Sequence, residues 1–295
     1  MPDRSWEAGL HQMIEEKEGC EQTGQNQTIA RISYQKFFSR YLRLSGMTGT
    51  ASEVSGELWN TYGLSMFQVA THKPQQRRYD KTFIYYTYEE KCQAVVDEAI
   101  SQQMLGRPVL IGARTLKDSE YISELLRIKK KKHQVLNAKH HQLEAKIVAA
   151  AGISGCITVA TNMAGRGTDI KLDAVSEAAG GLHVICCEKN DSRRIDRQLV
   201  GRCARQGDPG SYKVICSLED DAVLKYFSRV TELLLRYRNK RQLPVGSVVR
   251  PYWLASGLIF IPQRIIEYYH RQIRKSMMKV DENRESMLAF TGESE

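Results

Sequence analysis

The sequence predicts an α/β fold: a parallel sheet with helices on both faces, flanked by N-terminal helices and a C-terminal helical extension. Three observations predict it. β-Branched and aromatic apolar runs recur at residues 81–88, 109–113, 134–137, 156–160, 181–187 and 211–216. Segments with helical periodicity fill 89–105, 117–126 and 142–150, and strands alternating with helices of about ten to fifteen residues imply a parallel sheet covered on both sides. At 295 residues the chain suits one large domain or two modest ones, long enough to bury a core.

Taken in order, residues 6–18 read as an amphipathic helix, broken by Gly24-Gln-Asn-Gln27. Residues 33–44 form a second helix whose Phe37, Phe38, Tyr41 and Leu44 fall at helical spacing, a stripe expected to be core. A small-residue loop spans 44–51. The helix at 89–105 buries Ala94, Val95 and Ala99, and Gly106-Arg-Pro108 turns it into the strand at 109–113. The run Lys129-Lys-Lys-Lys-His133 is expected as a solvated helix end rather than an RNA-binding patch. A further helix begins at Asp191 or Ser192 and is expected to stop at Gly207, with Pro209 beyond. Its Arg193 and Arg194 are expected on a solvated face. After the last strand, residues 233–241 are basic. Residues 252–261 are apolar but too short to span a bilayer, so they are expected to pack on the domain. Residues 265–284 read as a long amphipathic helix ending in a basic face.

The net charge of +9 and pI near 9.1 favour acidic partners such as nucleic acid, anionic lipid or nucleotide, without choosing among them. Seven cysteines show no CxxC and no regular spacing, as in a reducing compartment. Cys186-Cys187 lie in an apolar run and are expected to pack as small hydrophobes. No run approaches the ~18 apolar residues of a membrane span, and no signal-like core opens the chain. His183 sits in an apolar strand and reads as a core or interface histidine. His140-His141 lack a cysteine or carboxylate at ligand spacing, and no metal site is expected.

The chemistry concentrates in residues 158–217. A glycine-punctuated loop, Thr161-Asn-Met-Ala-Gly-Arg-Gly-Thr-Asp169, leaves the strand at 156–160 at its carboxyl end, where open α/β sheets bind ligands. Asp169 closes it and can accept hydrogen bonds from ribose hydroxyls. Arg202 and Arg205, three apart on the expected helix, share one face; two guanidinium forks suit a polyphosphate. No GxxxxGK[ST] loop occurs to hold β- and γ-phosphates, and no acidic box follows a buried strand at the right place. Ser217-Leu-Glu-Asp-Asp221 only superficially resembles such a box.

These stretches, with Leu44-Ser-Gly-Met-Thr-Gly-Thr-Ala51, Val135-Leu-Asn-Ala-Lys-His140, Gly180-Gly-Leu-His-Val-Ile185 and Ser192 to Gly210, resemble the SecA preprotein translocase ATPase family in order and spacing, from about Trp6 to Phe227. The resemblance implies a RecA-like, P-loop-NTPase-type sheet. It implies three segments: 1–66 from the end of a first nucleotide-binding domain, 67–228 as the second, and 229–295 as a scaffold start. It implies that Arg202 and Arg205 act as finger and sensor, that Gln198 orients between lobes, and that Asp169 holds the ribose. Gly165, Arg166, Gly167 and Thr168 would shape the loop that reports nucleotide state. ATP would be shared with a complementary P-loop lobe, in the same longer chain or a separate subunit, and Mg2+ would be held mainly by that lobe. The implied partners are unfolded preprotein, a SecYEG-type membrane channel and an anionic membrane surface, with nucleic acid not expected. The implied location is cytoplasmic, peripheral at the inner face of the plasma membrane. Cys203 and Ala204 stand where the family has Ser and Gly, and residues 186–191 differ from its Gly-Thr-Glu-Arg-His-Glu. Two other readings stay open: the second lobe of an RNA or DNA helicase, and a non-catalytic paralogue kept as an interaction module.

Overall fold

The computed structural model describes residues 9–24, 32–136, 144–161 and 169–289. Its helices are α1 (Leu10–Lys17), α2 (Tyr34–Ser39), α3 (Ser55–Tyr62), α4 (Tyr88–Met104), α5 (Leu116–Ile128), α6 (Glu144–Ala150), α7 (Ala174–Ala178), α8 (Arg193–Val200), α9 (Asp221–Lys240) and α10 (Tyr252–Ala289). Its strands are β1 (Gln76–Tyr85), β2 (Val109–Ala113), β3 (Gln134–Leu136), β4 (Ile157–Thr161), β5 (Leu182–Cys186) and β6 (Pro209–Ser217). The six strands form one sheet in the order β1-β6-β5-β2-β4-β3, every pair parallel. The expected α/β class is the one observed. Two units divide the chain, residues 45–273 around the sheet and residues 1–44 with 274–295.

In the larger unit β2 and β5 are buried at every position, as strands covered on both faces must be. Alternate residues feed two cores. Leu110, Val184, Cys186, Val214 and Cys216 join Ala255, Leu258 and Ile259 of α10 in one. Val109, Ile111, Ile157, Val159, Ile185 and Ile215 join Val95, Val96 and Ala99 of α4 and Ile122 and Leu126 of α5 in the other. The apolar stretch at 252–261 thus packs on the sheet unit by one face, while Trp253 stays 74% exposed. It is continuous with the expected helix at 265–284: α10 runs 38 residues with Pro262 inside it. Among the described residues no helix is long and apolar enough to cross a membrane.

Boundaries moved for identifiable reasons. β1 starts at Gln76 rather than 81, because Gln76 to Tyr79 pair with Pro209 to Tyr212 of β6. It ends at Tyr85 because Thr87 caps α4, its side chain accepting from Glu90 N while Glu90 returns to Thr87 N. Thr115 and Asp118 form the same box on α5. In the smaller unit the aromatic stripe is not core: α2 is only six residues long and buries none, and Phe37, Phe38 and Tyr41 are 43%, 41% and 54% exposed. The rings contact one another instead, Phe37 meeting Phe38 and Tyr41 edge-on at 5.3 and 5.8 Å. His140-His141 lie outside the described residues.

Candidate functional site

α8 sits against the sheet because β2 lets it. A Cβ added at Gly112 would lie 2.3 Å from Leu199 Cδ2, so a larger residue there would have to push Leu199 aside. Ser192 caps α8, its side chain accepting from Arg194 N. The helix does not reach Gly207 as expected. It ends at Val200, with Gly201 as its C-cap, and Ala204, Gln206 and Gly207 then take φ of 54°, 53° and 87°. Left-handed residues cannot continue a right-handed helix. Arg202 and Arg205 therefore leave a tight turn rather than one helix face. The early start of β1 supports that turn. Arg77 donates to Cys203 O from Nε and Nη2 at 3.2 and 3.1 Å, and Gln76 Nε2 donates to Gly207 O at 2.8 Å.

Beside this turn a cavity of about 670 Å³ opens along β3 and β4. Leu110, Leu136, Val148, Ala151 and Ala160 give it a buried apolar lining. Gln198, Arg202 and Arg205 all line it, so three expected site residues come together although the expected helix does not. Asp169 is beside them, its Oδ1 accepting from Arg205 Nη1 at 2.7 Å, while Arg205 Nε donates to Gly201 O at 3.0 Å. Gly165, Arg166, Gly167 and Thr168 lie outside the described residues. Thr48, Gly49 and Thr50 of the loop at 44–51 complete the wall, with Arg77 and Arg197, which the sequence does not single out. Among the described lining residues four are arginines and none is a carboxylate. Thr158 Oγ1, on the lining and 1% exposed, has no hydrogen-bond partner. Nothing in the sequence marks Arg77 or Thr158, since each reaches the cavity only through strand register.

Arg193, expected on a solvated face, keeps a side chain 43% exposed and is also paired. Its backbone N and Nε donate to the Glu267 carboxylate at 2.7 and 3.2 Å, and Nε lies 3.7 Å from Glu53. Arg197 joins Glu53 at 2.7 Å and Ser52 Oγ at 3.2 Å. Arg194 is exposed as expected.

A second set of charges lies at the carboxyl ends of β1, β2, β5 and β6. Lys91 Nζ meets Asp220 Oδ1 at 2.6 Å, both side chains nearly inaccessible, and Ser217 donates to Asp220 from N and Oγ. The Ser217–Asp221 segment is thus pinned as structure. Burial opposes the Lys91 charge, but Asp220 and Glu188 outweigh it and hold the ammonium above its ordinary pKa. Arg114 donates to Glu188 at 2.6 Å and to Asp191 at 2.9 Å. Burial and Asp220 favour the acid form of Glu188, Lys91 and Arg114 the carboxylate; the balance falls at about 7. His183 is buried as expected. Ser211 Oγ accepts from Arg107 Nη2 at 2.8 Å and lies 2.7 Å from His183 Nδ1, while His183 Nε2 lies 3.5 Å from Glu98. Burial first, then Arg107, lowers the His183 pKa to about 4.

The site is thus an arginine-lined cavity at one side of a parallel α/β sheet. Two family models locate it further: the SecA P-loop domain matches residues 74–179 and 171–241, and the SecA DEAD-like domain matches residues 5–59. The chain belongs to the SecA family, and its fold is the RecA-like α/β type. It is 45% identical to protein translocase subunit SecA 3 of Magnetococcus marinus, over all of this chain and 44% of the relative. It is 44% identical to protein translocase subunit SecA of Endomicrobium trichonymphae, over 95% of this chain and 33% of the relative. Among solved structures, the E. coli DEAD-box protein SrmB aligns with 55% of this chain and 87% of its own, at 18% identity and TM-score 0.39. The chain spans less than half the length of these curated relatives.

Proposed function

We propose that this chain supplies the arginine-bearing lobe of a two-lobe ATPase that drives unfolded preprotein through a SecYEG-type channel at the inner face of the plasma membrane. The observation that carries the reading is the convergence of Gln198, Arg202 and Arg205 on one cavity whose described lining has four arginines and no carboxylate. The fit to a triphosphate is chemical: guanidinium forks bind phosphate oxygens in pairs, and the volume is within the range of ligand sites. Arg202 and Arg205 act as finger and sensor for charge on the transferring phosphoryl group, and Gln198 orients between the lobes. Asp169 accepts from ribose, its Oδ1 being already engaged by Arg205. Gly165, Arg166, Gly167 and Thr168 report nucleotide state. ATP is shared with a P-loop lobe, which holds most of the Mg2+, because this sequence has no GxxxxGK[ST]. Residues 1–66, 67–228 and 229–295 serve as flanking helices, motor lobe and scaffold start.

The test is ATP hydrolysis by the purified chain, alone and mixed with a SecA lobe carrying the P-loop. Steady turnover is expected only in the mixture, and Arg205→Ala should lower it about 10³-fold or more. Steady hydrolysis by the chain alone, or an Arg205→Ala mixture that works as well as the parent, overturns the proposal. Stimulation by RNA but not by unfolded polypeptide would instead select a helicase lobe.

A further inference from the structure

We infer that Gln263 and Glu267, one turn apart on α10, are positioning residues that aim the arginine-bearing end of α8 into the cavity. Gln263 is 2% exposed, and both hydrogens of its amide are used: Nε2 donates to Asn190 O and to Asp196 Oδ2, each at 2.8 Å. Asp196, 7% exposed, is the only buried residue of α8. Its other oxygen accepts from Asn190 N at 3.0 Å and Asn190 Nδ2 at 2.8 Å, and Lys189 Nζ lies 3.1 Å from Oδ2. A buried carboxylate with this many donors has a fixed direction, because any rotation strands one of them. Glu267 makes the second rung, taking the backbone N and Nε of Arg193 at the first residue of α8.

Apolar packing alone would leave α8 underdetermined. Leu199 against Gly112 fixes how near the helix lies to β2, but an aliphatic contact does not fix its roll about its own axis or its slide along it. The two rungs fix both. Roll and slide decide where Gln198 points and where the turn carrying Arg202 and Arg205 begins. No atom of α10 lines the cavity among the described residues, so Gln263 and Glu267 act through α8. The inference rests on reading the cavity as a polyanion site, and it adds that α10 sets how well that site is formed.

The experiment uses the full chain with two readouts: hydrogen exchange of backbone amides at residues 193–208 against those of β2, β4 and β5, and calorimetric affinity for inorganic tripolyphosphate. Glu267→Ala removes the outer rung, and Gln263→Glu sets a second carboxylate against Asp196. Both should speed exchange at 193–208 about tenfold or more, leave the strands unchanged, and weaken tripolyphosphate binding about three- to tenfold. The double variant Asp196→Asn with Gln263→Glu restores the side-chain pair but leaves Asn190 O without its donor and Lys189 without its acid, so it should recover only part of both losses. Unchanged exchange at 193–208, or acceleration spread evenly over the strands, overturns the inference. If the parent chain takes up no tripolyphosphate, the polyanion reading of the cavity falls by itself, and local exchange still decides whether α10 orders α8.

Discussion

At the carboxyl ends of β1, β2, β5 and β6 the cations are buried or half-buried and matched to acids: Lys91 to Asp220, Arg114 to Glu188 and Asp191. Around the cavity beside β3 and β4 the guanidinium groups stand at the surface, Arg205 33% and Arg197 41% exposed by side chain, with arginines but no acid on the described lining. The two regions share one sheet and one residue chemistry. Burial separates them. A buried charge is tolerable only when paired, so the first set is committed to the fold. Pairs held at the surface, such as Arg205 with Asp169 and Arg197 with Glu53, contribute little and can exchange partners at small cost.

The largest expected difference lies in stability. Lys91→Met leaves the Asp220 carboxylate buried without its cation and should cost about 3–5 kcal/mol in chemical unfolding. Next are the two titrating groups of the interior, whose pH dependences have opposite signs. The Glu188 pKa is raised from the ordinary carboxylate value to about 7. Between about 4.5 and 7 the folded state therefore holds a proton the unfolded state has lost, and stability falls as pH rises through that window. Glu188→Gln should flatten this slope, an effect on the order of 2 kcal/mol across the window. The His183 pKa is depressed to about 4. From its ordinary value near 6.5 down to 4 the unfolded state binds a proton the buried imidazole refuses, so stability falls as pH drops. His183→Asn should remove that acid-side loss, read from urea midpoints at a series of pH values. The smallest effect belongs to the cavity: Arg205→Ala breaks an exposed pair with Asp169 and should change stability by less than about 1 kcal/mol. A loss as large as that from Lys91→Met would erase the contrast between the regions.

The sheet was legible because its strands carry their own signal. The runs at 109–113, 156–160 and 181–187 need two-sided burial, and β2, β4 and β5 lie on them within a residue or two. The fold class followed from their alternation with helices. The sequence points to Gln198, Arg202 and Arg205, but not to the turn that brings them to one cavity. Gly207 looked like the helix stop, whereas Gly201 caps it and Ala204 and Gln206, residues that rarely take positive φ, finish the turn. Arg77 depends on the β1–β6 register, which no local pattern encodes. The α2 stripe was misread because helical spacing says which residues share a face, not whether anything covers it. Glu267 gave no sign that it would take Arg193, since the two are 74 residues apart and meet only through the packing of α10.

The adjacent thiols at the end of β5, Cys186 and Cys187, carry a practical consequence. Because neighbouring strand residues point opposite ways, Cys186 lies in one core and Cys187 in the other. Burial pushes the Cys186 pKa up to about 12 and that of Cys187 well above its usual value, which leaves almost no thiolate in either. Cys92, Cys203 and Cys216 are likewise buried, Cys156 is half-buried, and Cys20 alone is exposed. A maleimide dye applied briefly to the native protein should thus enter at Cys20, giving a nearly single-site optical handle without any cysteine being engineered out.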